Sequence, residues 1–156
     1  RPAARGSRDP RGPAPMKLSA AIIDTNVVGA ALLTGNADSP TARILDGMRK
    51  GAFAFLISPA LLAEYREVVL REKIRALHGL SEREVDIVLT AIASNAIVRD
   101  PVVRSGAPDK KNNHLWSLLQ DQASSVLVTG DLALAKNLPR NSTVLQPREF
   151  VTLFPE

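Results

Sequence analysis

The sequence has no cysteine and two histidines, His78 and His114. Disulfides, thiolate nucleophiles and zinc–thiolate sites are therefore excluded, as is a metal centre built on several histidines. The redox compartment is left open. Long apolar runs are also missing. The stretches 20–23 and 27–33 are separated by Asp24 and Asn26, and neither approaches the ~20 residues needed to span a bilayer. Several catalytic signatures are absent too. There is no G-x-S-x-G elbow, no P-loop Gly-Lys-Ser/Thr, and no G-x-G-x-x-G following a strand. An aspartyl-nucleophile phosphatase usually has a second aspartate two residues after the first, and after Asp24 that position is Asn26.

What is present suits one soluble domain. The 156 residues are 45% hydrophobic and 23% charged, enough to bury a core without staples. The net charge of +4 is unevenly distributed. Residues 1–15 carry +3 of it, with Arg1, Arg5, Arg8 and Arg11 against Asp9. The basic pI near 9.9 thus reports a tail, and the rest is close to neutral. That tail has four prolines and no large apolar residue, so it reads as disordered, with an RNA-touching arm as the other reading. Met16 directly precedes the first strand-like run and reads as a natural start, which makes 16–156 a single domain.

Along that domain, strand and helix signals alternate. A buried-strand run at 18–23 leads into an apolar helix ending at Leu33. Ser39-Pro40 opens an amphipathic helix to Lys50, closed by Gly51. A strand at 53–57 precedes Ser58-Pro59, which starts a helix to about Arg71. Ser81–Glu84 is a capping box for a helix to about Asn95. A short strand at 97–98, a loop over 100–111, a helix at about 113–123 and a strand at 125–128 follow. A short helix from Leu132, a strand at 143–145 and a helical turn from Pro147 complete the pattern. Such alternation predicts an α/β sandwich of three layers (α/β/α) around a mostly parallel sheet.

In open α/β sheets ligands bind outside the carboxyl ends of the strands. Two apolar strands end there in carboxylates: Ile22-Ile23 runs into Asp24-Thr25-Asn26, and Leu127-Val128 into Thr129-Gly130-Asp131. Each aspartate alone is explained by an Asx-turn or a helix cap, and together on one edge they suggest a shared site. Glu64 lies on or beside the apolar stripe of Leu61, Tyr65 and Val68, with no basic residue three or four positions away. A boundary glutamate reaching solvent is its alternative reading. Asp109 sits in the loop that enters the next helix and could merely end a turn, with Asn112 or Asn113 as N-cap. His114 and Trp116 read as packing or shielding residues. Carboxylates converging without cysteine or histidine favour a hard cation, Mg²⁺ or Mn²⁺, and hence phosphate chemistry. Lys110, Lys111, Arg99 and Arg104 flank the region and read as solvated charge or as phosphate contacts.

These pieces, in their order and spacing over about residues 17–153, resemble the PIN-domain nucleases, specifically the toxin-like (VapC-like) branch of bacterial toxin–antitoxin systems. The matching residues are 21–26, Ser58-Pro59-Ala60-Leu61-Leu62-Ala63-Glu64, the 108–116 segment, and Val126–Asp131. The resemblance implies a PIN-like fold and a ribonuclease that cleaves single-stranded RNA with Mg²⁺ or Mn²⁺. It further implies a cytoplasmic toxin that dimerises and is silenced by a small antitoxin. Asp24 would be the principal metal ligand, Glu64 the second acid, and Asp131 the last acid, often linked to metal through water. Thr129 would orient water or phosphate, with Asn26 supporting. The family's usual aspartate at the start of the late helix is Asn112 here, and Asp109 lies three residues earlier. A second reading therefore follows, a catalytically weakened PIN-fold module that binds RNA or a protein partner. A small-molecule phosphatase is a third.

Overall fold

The computed structural model describes residues 20–103, 107, 109–122, 124–139 and 142–154. The basic tail, the start at Met16, Arg104 and Pro108 lie outside these residues. The first half contains β1 (Ala21–Ile23), α1 (Thr25–Leu33), α2 (Pro40–Lys50), β2 (Leu56–Ile57) and α3 (Pro59–Val69). It continues with α4 (Glu72–His78), α5 (Glu82–Asn95) and β3 (Ile97–Val98). After a 3-10 turn at Lys110–Asn112 come α6 (Asn113–Asp121), β4 (Val126–Val128), α7 (Leu132–Lys136), β5 (Thr143–Leu145) and α8 (Pro147–Phe150). A second 3-10 turn, Val151–Leu153, closes the described chain.

Every strand pairing among the described residues is parallel. β1 pairs with β4 and β4 with β5, while β2 pairs with β3. A parallel bridge, Ala21 to Phe55, joins the two groups. The spatial order is thus β3-β2-β1-β4-β5. The chain winds outward from β1 to β3, then returns and winds the other way through β4 and β5. The crevice between β1 and β4 is where that order reverses, the position at which open α/β sheets bind ligands. All residues of β1 and β4 are buried, so both faces of the central strands are covered, as the sequence pattern predicts. Around them α1 packs on α2, α3 and α4, α5 on α2 and α3, and α6 on α3.

The helix starts follow their caps. Ser39 and Ser58 accept from the amides of Ala42 and Leu61 at 3.2 and 3.0 Å, each followed by Pro at the first helical position. Ser81 and Glu84 form the reciprocal capping box. Gly51 ends α2 at φ +69°, where a Cβ would also meet Asn95 Oδ1 at 2.9 Å.

Some boundaries differ from the sequence pattern. The strand expected over 53–57 forms a ladder only at Leu56–Ile57. Phe53 instead packs with Phe55, Phe150 and Phe154, at centroid distances of 5.7, 5.0 and 5.3 Å. Helix α3 stops at Val69 rather than near Arg71, and α4, which has no buried residue to give it a periodic signature, follows at once. His78 fastens the end of α4 by bridging the Val69 carbonyl and the Leu80 amide, at 2.7 and 2.9 Å. Helix α6 ends at Asp121, short of the expected 123. Strand β4 begins at Val126, because the Ser125 amide turns back to the Gln122 carbonyl.

Candidate active site

The site begins with strand register. Ile23 stands opposite Val128, so the next residues, Asp24 and Thr129, leave the sheet side by side at the switch point. The Asp24 amide continues the ladder to the Val128 carbonyl at 3.0 Å. Asp24 is 7% exposed, and its Oδ2 accepts the Thr129 hydroxyl at 2.7 Å. The same Thr129 oxygen accepts the Asp131 amide at 3.0 Å. Thr129 therefore ties the two aspartates together, the role nearest to the one its motif suggests. Asp131 is exposed and caps α7, with Oδ1 accepting from Ala133 and Leu134 at 2.9 and 3.2 Å. The cap is real, and it also holds a carboxylate at the same edge as Asp24.

Glu64 comes to this edge on α3. Tyr65 is fully buried, and its hydroxyl donates to the Ile23 carbonyl at 2.5 Å. That bond hangs α3 on the last residue of β1, immediately before Asp24. Glu64 Oε1 then accepts the Thr25 hydroxyl. On its other side, Oε2 lies 3.5 Å from His114 Nε2, with the two side chains 30% and 15% exposed. The neighbour that Glu64 lacks three or four residues away on its own helix thus comes from α6.

The two carboxylates are tuned in opposite directions. Burial, the largest influence, pushes Asp24 up. The Thr129 hydroxyl and the Thr25 amide pull it back, while the charges of Glu64 and Asp131 push it further up, and the net shift is upward. Burial pushes Glu64 up as well. There the contacts with His114 and Thr25, and the charges of His114 and Arg71, outweigh it and leave the carboxyl below the usual glutamate range. Tyr65 is pushed up by burial first and by both carboxylates after it.

Asp109 and Asn112 do not join this network through any hydrogen bond among the described residues. Asp109 is exposed and uses Oδ1 to cap its own 3-10 turn at the Lys111 amide, 3.0 Å away. Asn112 occupies the N-cap position of α6 without a side-chain capping bond. Asn26 is exposed on the first turn of α1, and Lys110, Lys111 and Arg99 are solvated. Three contributors escape a reading by motif alone: Thr25, Tyr65 and His114. Thr25 lies inside the Asp24–Asn26 segment, and Tyr65 carries a polar handle on an apolar stripe. His114 gives no local signal, because its partner is fifty residues away.

The donors are carboxylate and hydroxyl oxygens with one imidazole, a set suited to a hard cation. Among the described residues, no three His, Asp or Glu side chains stand close enough to enclose a metal ion. A closed protein cage therefore does not fit. A Mg²⁺-like ion held by one or two carboxylates and completed by water and substrate does fit. Asp24 points the same way: it is buried beside two other carboxylates and makes no salt bridge among the described residues. A separate groove of about 680 Å³, lined by Arg43, Leu45, Arg49 and His78 among others, contains none of the three acids. No described helix is long and apolar enough to cross a membrane.

No curated protein matches the chain. Residues 20–133, well over half the sequence and spanning β1 to the start of α7, match the sequence profile of the PIN domain. The chain belongs to the PIN-domain family, whose members are generally nucleases and usually use divalent metal ions.

Proposed function

We propose that this protein is a Mg²⁺- or Mn²⁺-dependent endoribonuclease acting on single-stranded RNA, the toxin of a bacterial toxin–antitoxin pair. The observation that carries the reading is the buried Asp24 at the β1–β4 switch point, joined through Thr129 to Asp131 and facing the charge of Glu64. Asp24 and Glu64 would hold the cation, with Asp131 reaching it through water. Bound there, the ion would supply an activated water and neutralise charge on the scissile phosphate.

The chain's own residues do the positioning. Thr129 fixes one oxygen of Asp24. Tyr65 sets the height of α3 against β1, and Thr25 pins Glu64 toward α1. Asp131 holds the start of α7 rigid, so its second oxygen projects from a fixed turn. A small antitoxin partner, a homodimer and a cytoplasmic setting complete the reading, supported by the toxin-like order of the motifs.

A second reading has its own observation. Asp109 is committed to its turn, and Asn112 brings an amide where the family usually brings a carboxylate. A module of this fold with reduced charge would bind RNA or a partner without turning it over. The two separate in one experiment, in which mixed-sequence single-stranded RNA is incubated with the protein and Mn²⁺, Mg²⁺ or EDTA. Cleavage with metal and none with EDTA is the expected result. RNA retained on a gel but intact with both metals would establish the binding module instead.

A further inference from the structure

We infer that His114 is a positioning residue that sets the orientation of Glu64 for its metal ion. This rests on the proposed role of Glu64 as a metal-binding carboxylate. Glu64 is gripped from two elements at once: Thr25, on the first turn of α1, donates to Oε1, and His114, on the first turn of α6, faces Oε2 at 3.5 Å. A glutamate side chain has enough rotatable bonds that one contact leaves its carboxylate plane free to turn. Two contacts from opposite sides fix that plane. Each oxygen keeps a lone pair for a cation, because a carboxylate oxygen accepts more than one partner.

The imidazole is itself well placed to hold still. It is mostly buried, and α6 packs on α3 through the segment that carries it. Nδ1 is buried and has no hydrogen-bond partner among the described residues. Of the two nitrogens, the one facing Glu64 is the one that has found a polar neighbour, so that contact determines which way the ring presents itself. The surroundings accept an unsatisfied nitrogen on one side of the ring and place the other against Glu64. That is the arrangement by which outer residues orient metal-binding ones. The positive end of α6 adds to it.

The test compares wild type, His114→Leu, which keeps bulk but loses the donor, and His114→Gln, whose amide donor reaches about as far as Nε2. Mn²⁺ binding to each folded protein is measured by calorimetry, with kcat and KM for RNA cleavage measured alongside. His114→Leu should bind Mn²⁺ about 10–100-fold more weakly, with kcat reduced and KM for RNA little changed. His114→Gln should recover most of the loss. A purely structural histidine would lower the melting temperature in both variants and leave the Mn²⁺ affinity of the folded protein unchanged. Equal Mn²⁺ affinity in wild type and His114→Leu therefore overturns the inference, as does a folded His114→Gln that recovers nothing. Wild type that binds no Mn²⁺ at all would instead overturn the metal reading on which the inference stands.

Discussion

Replacing Tyr65 with phenylalanine removes one oxygen from the centre of the molecule and nothing else. The ring stays, so no cavity opens. The Tyr65 hydroxyl meets the Ile23 carbonyl at 2.5 Å in a fully buried setting. Its importance follows from the sheet. Among the described residues, β1 is joined to the β2 segment by one bridge, Ala21 to Phe55, where the Ala21 amide bonds to the Ala54 carbonyl. Two residues on, the Ile23 carbonyl faces the same edge, where β2 has already diverged, and Tyr65 supplies the donor that a longer ladder would have given. Tyr65→Phe leaves a buried acceptor unsatisfied, at a cost of about 1–3 kcal/mol. At roughly 2–4 °C per kcal/mol for a chain of this size, the middle of that range lowers Tm by about 4–8 °C. Calorimetry or circular dichroism reads this directly, and urea titration should show an earlier midpoint with an unchanged slope. A melting curve within about 1 °C of wild type would refute the idea that this hydroxyl suspends α3 from β1.

Three further outcomes follow from the same structure. Ser58→Ala frees the Leu61 amide at a buried helix start and should cost about 1–2 kcal/mol in urea unfolding. The half-exposed cap Ser39→Ala should cost less, and the reverse order would contradict the burial argument. Asp24→Asn removes a carboxyl whose protonated form the fold favours, because burial first, and Glu64 and Asp131 after it, raise its pKa. Wild type thus loses stability as pH rises through the raised value. The metal-free variant should melt higher at neutral pH, and the gap should close in acid below the ordinary aspartate range. A variant that melts lower at neutral pH would contradict this. Asn112→Asp restores a charge at the start of α6 and should lower the Mn²⁺ concentration needed for half-maximal cleavage. An unchanged requirement would place Asn112 outside the metal's reach.

What could be read from the sequence is what local chemistry dictates. Ser39-Pro40, Ser58-Pro59 and the Ser81 capping box mark helix starts because each satisfies amides within four residues, and the structure has helices at all three. The pairing of Asp24 with Asp131 was legible because buried strands must end at the same edge of a parallel sheet. α4 was not legible, since a seven-residue helix with no buried face leaves no periodicity. Nor was the shortening of β2, where Phe53 packs with Phe150 and Phe154 from the far end of the chain. His114 was read as packing because nothing near it in sequence calls for a carboxylate, and its meeting with Glu64 exists only once α6 lies on α3.

The account stands on Asp24 as the acid at the centre of an RNA-cleaving site. Its most direct test is the rate at which purified Asp24→Asn cleaves single-stranded RNA in Mn²⁺, measured beside wild type on protein shown by its melting curve to be folded. The account predicts metal-dependent cleavage by wild type and none above background by the variant. Cleavage that survives the substitution would contradict it.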